Sequence, residues 1–86
     1  MKIEKKVWPK YFQLILDGKK KYELRLADFE CKDGDELVLR EWDPKTKQYT
    51  GREAVKKVIM VFKTKDQLFW QKEEVEKYGF QIISFD

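Results

Sequence analysis

The chain has no histidine and no asparagine, a single serine and a single cysteine. Nowhere does it carry a run of about 18 apolar residues of the kind that crosses a bilayer. Each absence removes a class of chemistry. Without imidazole there is no Ser-His or Cys-His nucleophile pair and no histidine-based metal site, and one thiol cannot form a structural zinc site or an internal disulfide. No metal and no cofactor is therefore expected, and any reaction must use Lys, Asp, Glu, Tyr, Arg or backbone groups. The lone Cys31 fits a reducing interior and reads as a loop or core thiol without a role. The opening stretch "MKIEKKVWPK" is basic but has no apolar core for a secretion signal. The expected location is the cytoplasm, with no membrane partner.

What is present is charge and aromatic surface. Of 86 residues, 41% are charged, 19 Lys and Arg against 16 Asp and Glu, and 15% are aromatic within a 42% hydrophobic total. That apolar content is enough for a small fold, so one domain spanning residues 1–86, monomeric, is expected. Lys and Glu enrichment with few thermolabile residues is the composition associated with hyperthermophiles, which points to a thermophilic source. A net charge of +3 is mild and favours an anionic partner only if it is unevenly placed.

Local patterns predict the order β-α-β-β-β-α-β. "MKIEKKVW" reads as a strand. Pro9 suits a first helical position, Trp8 the N-cap, Val7 and Phe12 a hydrophobic staple, and Gly18 the residue just past the helix end. Phe12, Ile15 and Leu16, with Tyr11, give that helix an apolar stripe. "KYELRLADF" alternates Tyr22, Leu24 and Leu26 against Lys21, Glu23 and Arg25, the period of a half-buried strand. "ELVLREW" alternates again around Leu37 and Leu39, "DPKTKQYTG" reads as a long hairpin connection through Pro44 and Gly51, and "REAVKKVIMVF" as a strand buried on both faces in its second half. Thr64 and Gln67 suggest a capping box for a helix with Leu68, Phe69 and Val75 inward and Glu73, Glu74 and Glu76 solvated. "FQIISF" is the last strand. Five strands in so small a domain must curl to hide their edges.

Gly18, Lys20, Glu23 and Arg25 together form the pattern G-x-K-x-x-E-x-R. This resembles the signature of the ASCH superfamily, the activating-signal-cointegrator homology domains, whose fold is a PUA-like β-barrel. "WPKYF", "DGDELVLREWDP" and "YTGRE" resemble one small prokaryotic branch of that superfamily, of unknown function, over about residues 6–62. The resemblance implies an α+β domain with a small curled five-stranded β-barrel and two helices. It also implies a cleft beside the signature strand and a partner that is RNA or a nucleoside-type ligand. Some members of the superfamily are amidohydrolases on an acylated cytidine, with a lysine at the position of Lys20, a threonine at that of Glu23 and an acidic residue later. Here Glu23 replaces the threonine, and Ile3 stands where branch members often carry a histidine.

The residues themselves allow more than one reading. Lys20 is either a solvated lysine at a strand start or a cleft group contacting phosphate, or a base or nucleophile if desolvated. Glu23 and Arg25, two apart, leave one face of the strand, either as an ion pair or with Arg25 orienting Glu23 to accept from the exocyclic amine of a base. Strict alternation would send Lys20 to the opposite face. Either the turn after Gly18 reorients it, which is the expectation adopted, or Lys21 is the true neighbour of Glu23. Trp8, Trp42 and Tyr22 are candidates to stack on a base, and Lys5, Lys6, Lys10, Lys45, Lys47, Lys56 and Lys57 to hold phosphates. The first functional expectation is a nucleic-acid-binding module using Lys20, Glu23, Arg25, Trp8, Tyr22 and Lys21. The alternative is an amidohydrolase on an N-acylated nucleoside, with Lys20 and Glu23 catalytic and Glu73 or Glu74 assisting in proton transfer. A protein-interaction domain with an idle cleft is the plainest third.

Overall fold

The computed structural model describes residues 1–66 and 71–86. Its elements run β1 (Lys2–Val7), α1 (Pro9–Leu16), β2 (Tyr22–Leu26), β3 (Glu36–Asp43), β4 (Gln48–Lys63), a 3₁₀ turn (Thr64–Asp66), α2 (Lys72–Tyr78) and β5 (Phe80–Phe85). The expected order is present. The strands form one mixed sheet in the order β1-β3-β4-β5-β2, with β1 parallel to β3 and the other neighbours antiparallel.

The long strand β4 organises the sheet. Its first part pairs with β3 and its second with β5, and a bulge between Val58 and Met60 marks where β5 takes over. Bulges increase local twist and bend a strand. The bend brings the two edge strands, β1 and β2, toward each other, yet no ladder joins them among the described residues. The five strands expected as a small curled barrel therefore form a sheet that is not closed: it is curled and open, with one seam. A side chain spans that seam, where Arg25 Nη2 donates to the carbonyl of Lys6.

Helix α1 caps the hollow of the sheet. Pro9 occupies its first turn, and Phe12 and Ile15 are fully buried with Val7, Leu37, Leu39, Val58, Ile83, Phe85 and Cys31 in the core. Val7 and Phe12, the expected staple pair, both belong to this cluster. Burial pushes the Cys31 thiol up, with the Asp35 carboxylate adding to the effect. Leu16 and Tyr11, by contrast, face outward, because only the Phe12–Ile15 side of so short a helix meets the sheet.

Two strand readings are corrected by the structure. On β2 the alternation is real but inverted: Glu23 is buried while Tyr22, Leu24 and Leu26 are exposed. On β4 the second half is not buried on both sides, since Ile59, Met60 and Phe62 are also exposed. The register explains both. Tyr22, Leu24 and Leu26 lie beside Ser84, Ile82 and Phe80 of β5, and Ser84 and Ile82 lie beside Met60 and Phe62, so these residues share the outer face of the sheet. Glu23 stands beside Ile83 on the inner face.

Smaller differences follow from local bonds. The hairpin between β3 and β4 is short: Asp43 accepts from the backbone N–H of Lys45 and Lys47, and β4 starts at Gln48. The Thr64 hydroxyl donates to the Phe80 carbonyl and accepts from the Phe80 N–H. α2 begins only at Lys72, with Val75 half-buried and Glu73, Glu74 and Glu76 exposed. The positions expected for Gln67, Leu68 and Phe69 lie outside the described residues. No helix among those described is long and apolar enough to cross a membrane.

Candidate functional site

The geometry of the site starts at the end of α1. Gly18 has φ +75°, the left-handed conformation that glycine adopts without a Cβ penalty. Its N–H donates to the Ile15 carbonyl at 3.1 Å and that of Lys19 to Leu14 at 3.0 Å, the two bonds of a Schellman motif. The Lys20 N–H then adds a third bond, to the same Leu14 carbonyl, at 3.1 Å. Lys20 is thus tied to the helix end rather than to the strand, which begins only at Tyr22. This is why it escapes the alternation.

Lys20 Nζ reaches back along β2 and donates to Glu23 Oε1 at 2.8 Å and to the Tyr22 carbonyl at 2.7 Å. From the other side Arg25 Nε donates to Glu23 Oε2 at 2.9 Å. Glu23 therefore sits between two cations, each oxygen holding one. Of the three N–H donors of an ammonium Lys20 has committed two, and of the five on a guanidinium Arg25 has committed one to Glu23 and one to Lys6. Each Glu23 oxygen has a further lone pair. The trio can both accept from and donate to one more partner.

That partner has room. A cleft of about 470 Å³ opens at the seam, lined by Lys6, Val7 and Trp8 from the end of β1, Tyr11 from α1, and Lys20 with Tyr22–Arg25 from β2. The volume lies in the range of small-molecule sites. Its aromatic walls are available: Trp8 is 54% exposed, Tyr11 44% and Tyr22 47%. The Lys20 ammonium lies 4.6 Å from the centre of the Tyr22 ring, which fixes one wall against the charged floor.

Of the expected site residues, Lys20, Glu23, Arg25, Trp8 and Tyr22 converge on this cleft, and Lys21 does not: it is exposed, and its carbonyl accepts from Phe85 N–H at 3.0 Å. Trp42 does not line the cleft either and instead lies beneath the Lys6 ammonium at 4.6 Å. Glu74 borders a separate cavity with Thr64, Val75, Tyr78 and Phe80, so α2 brings no acid to the seam. Among the seven lysines considered for phosphate, Lys6 lines the cleft; Lys5, Lys10, Lys45, Lys47, Lys56 and Lys57 do not. Among the described residues no group of three or more acidic or thiol side chains is arranged to hold a metal.

A second charged cluster was legible but unread. Glu41 continues the inward row of Leu37 and Leu39 on β3, where a carboxylate demands partners. Thr50 and Arg52, two apart on the returning strand, supply them. Thr50 Oγ1 donates to Glu41 at 2.6 Å, and Arg52 donates through Nε at 3.0 Å and Nη2 at 2.9 Å. Arg52 also donates to Gln13 of α1 and lies 5.1 Å over the Phe12 ring. The Arg52 and Thr50 hydrogen bonds hold the Glu41 carboxyl below its ordinary range. This cluster ties the helix to the sheet and lies outside the cleft.

Residues 3–76 of the chain match a family described as a domain of unknown function, DUF3850. The matched span contains the whole seam and the Glu41 cluster and ends within α2. Among curated proteins the chain is 38% identical over 65 residues to an uncharacterized 12.9 kDa protein in the GpA 3′ region of Escherichia phage P2. The aligned part is 76% of this chain and 58% of that protein, so the chain spans little more than half the length of this relative.

Proposed function

The chain belongs to this family of unknown function, DUF3850, and from the geometry of its seam we propose that it is a nucleic-acid-binding module that holds one base or nucleotide, most naturally of RNA, in the seam cleft. The observation that carries the reading is the convergence of Lys20, Glu23 and Arg25 under three exposed aromatic rings. A flat, partly polar ligand suits both features. Its faces stack on Trp8, Tyr11 or Tyr22, and its edge meets an acceptor flanked by cationic donors. Glu23 accepts from an exocyclic amine while the spare N–H groups of Lys20 and Arg25 donate to ring nitrogens or carbonyls. The resemblance of Gly18, Lys20, Glu23 and Arg25 to the ASCH signature supports the same reading.

The amidohydrolase reading finds less support. Lys20 Nζ is engaged by both the Glu23 carboxylate and the Tyr22 carbonyl, so it is held by the protein's own groups rather than presented to a substrate carbonyl. Glu23 is held on both oxygens. The arrangement suits recognition better than turnover.

Titration with short single-stranded RNA at two salt concentrations tests the reading. Binding is expected at low salt, falling steeply as salt rises. Trp8→Ala should weaken it about 5-fold to 150-fold through lost stacking worth about 1–3 kcal/mol, with little change in stability because the ring is exposed. Absence of binding at low salt refutes the proposal. Incubation with acetylated cytidine separates the alternative, since release of acetate abolished by Lys20→Ala would establish the hydrolase instead.

A further inference from the structure

Beside the cleft lies a second cavity of about 350 Å³, lined by Glu4, Lys5, Lys6, Arg25, Arg40 and Tyr49. Four of these six residues are cationic and one is a carboxylate. Lys6 and Arg25 line both cavities, so the two hollows adjoin at the seam. Extending the seam reading and resting on it, we infer that this second cavity is a phosphate subsite, and that the ligand is a nucleoside monophosphate unit, free or within a strand, rather than a bare base or nucleoside.

Three cations of this cavity lie against aromatic rings, as Lys20 and Arg52 do elsewhere, but without a close carboxylate partner. Lys6 lies over Trp42 at 4.6 Å, Arg40 over Tyr49 at 4.0 Å and Lys5 over Phe29 at 3.7 Å. An aromatic face holds a cation by its quadrupole without consuming a hydrogen-bond donor. The Arg40 guanidinium over Tyr49 has N–H donors that the ring does not take up. Among the described residues no carboxylate lies within 4 Å of the Lys5 or Lys6 ammonium, and Arg40 has only a long contact to Glu53, at 3.7 Å. Arg25 is different, being committed to Glu23 and to the Lys6 carbonyl, but it has donors left over and joins the two hollows. Positioned cations with uncommitted donors around a small hollow are what a phosphate group needs, and bidentate Arg contacts are the commonest form of that recognition.

The arrangement also orders the ligand. Amino-bearing edge and ring go to Glu23 and Trp8; the sugar crosses the seam at Arg25; the phosphate meets Arg40 and Lys6, while the Lys5 ammonium lies on the other face of β1 against Phe29. Glu4 stands at the rim of the cavity as its one carboxylate, where it disfavours a second phosphate and so favours a monophosphate over a polyphosphate.

The test measures cytidine, 5′-CMP, 3′-CMP and inorganic phosphate binding by calorimetry, on the unaltered chain and on Arg40→Gln and Trp8→Ala. One of the monophosphates is expected to bind at least about tenfold more tightly than cytidine, as a charge-assisted contact supplies. Arg40→Gln should erase that gain while leaving cytidine binding intact, and Trp8→Ala should weaken cytidine and both monophosphates alike. Equal binding of cytidine and both monophosphates overturns the phosphate subsite and leaves the base cleft standing. A monophosphate gain that survives Arg40→Gln overturns it as well. Failure of all three nucleoside compounds to bind overturns the seam reading itself, and with it this inference, even if inorganic phosphate is held.

Discussion

Two neighbouring residues of β2 make opposite demands, and exchanging them for glutamine one at a time measures which face of the strand is inside. Glu23→Gln keeps the shape and one acceptor oxygen but removes the charge that holds Lys20 and Arg25. Their side chains are only 14% and 28% exposed, so water replaces the carboxylate incompletely. Stranding a fully buried charge costs about 3–5 kcal/mol, and the partial openness of the seam lowers the expected loss to about 2 kcal/mol. For a domain of this size that is a fall of about 8–16 °C in melting temperature. Leu24 is 56% exposed, and Leu24→Gln should change stability by less than about 0.5 kcal/mol. If the leucines faced the core, as the alternation taken alone suggests, the order would reverse, with a loss of about 3 kcal/mol or more at Leu24 and almost none at Glu23. Urea unfolding of the three proteins followed by circular dichroism decides it. Repeating the measurement in about 0.5 M salt adds an internal check: screening should recover part of the Glu23→Gln loss and nothing at Leu24. A Leu24→Gln variant less stable than Glu23→Gln refutes the inverted strand and the buried trio with it.

Further outcomes follow from other parts of the molecule. Gly18→Ala meets no atom within 4 Å, so its cost is backbone strain alone, about 1–2 kcal/mol in urea unfolding. Phe12→Ala empties a fully buried position under α1 and should cost about 3–5 kcal/mol, enough to leave part of the chain unfolded at 37 °C by circular dichroism. The depressed carboxyl of Glu41 binds its proton less readily folded than unfolded. Its contribution is therefore complete above the ordinary carboxylate range, near pH 4.5, and is lost as pH falls through the lower folded value. Acid titration of stability should show a shallower decline below about pH 4.5 in Glu41→Gln, which has no such proton to take up, than in the unaltered chain.

Local punctuation was the most legible part of the chain. Pro9 and Gly18 bracket α1 because each matches a backbone need that no tertiary contact alters: a fixed φ at the first turn and a positive φ past the last. The reorientation of Lys20 followed from the same glycine, since a residue bonded to the helix end is not bound by the strand's alternation. The β2 face was read backwards for a specific reason. Period-2 reasoning assumes that the polar side of a strand faces water, and it fails where charges solvate one another. Lys20, Glu23 and Arg25 do so across one short stretch, which lets the polar face turn inward and leaves Tyr22, Leu24 and Leu26 outside. Glu41 met the same assumption and was read past, although its place in the Leu37–Leu39 row carried the signal.

The open seam has a related cause. Strand pairing between β1 and β2 would have used backbone groups along both edges and closed the barrel. Arg25, reaching Lys6 from nineteen positions along the chain, spans the gap with a side chain, and no local pattern reports a bond of that separation. A side chain bridges at one point where a ladder would join along its length, so the edges stay apart above and below it. One of the resulting hollows takes the buried carboxylate and the aromatic rings, and the other takes the stacked cations of β1 and β3. The same guanidinium thus neutralises Glu23, ties the two edges of the sheet and divides the space between them. Arg25→Lys is therefore expected to be a poor replacement even with the charge kept, because a single ammonium lacks the fork that reaches Glu23 and Lys6 together. Loss of cleft binding in a folded Arg25→Lys variant, measured by the RNA titration, would follow from that geometry, whereas unaltered binding would show that charge alone suffices at the seam.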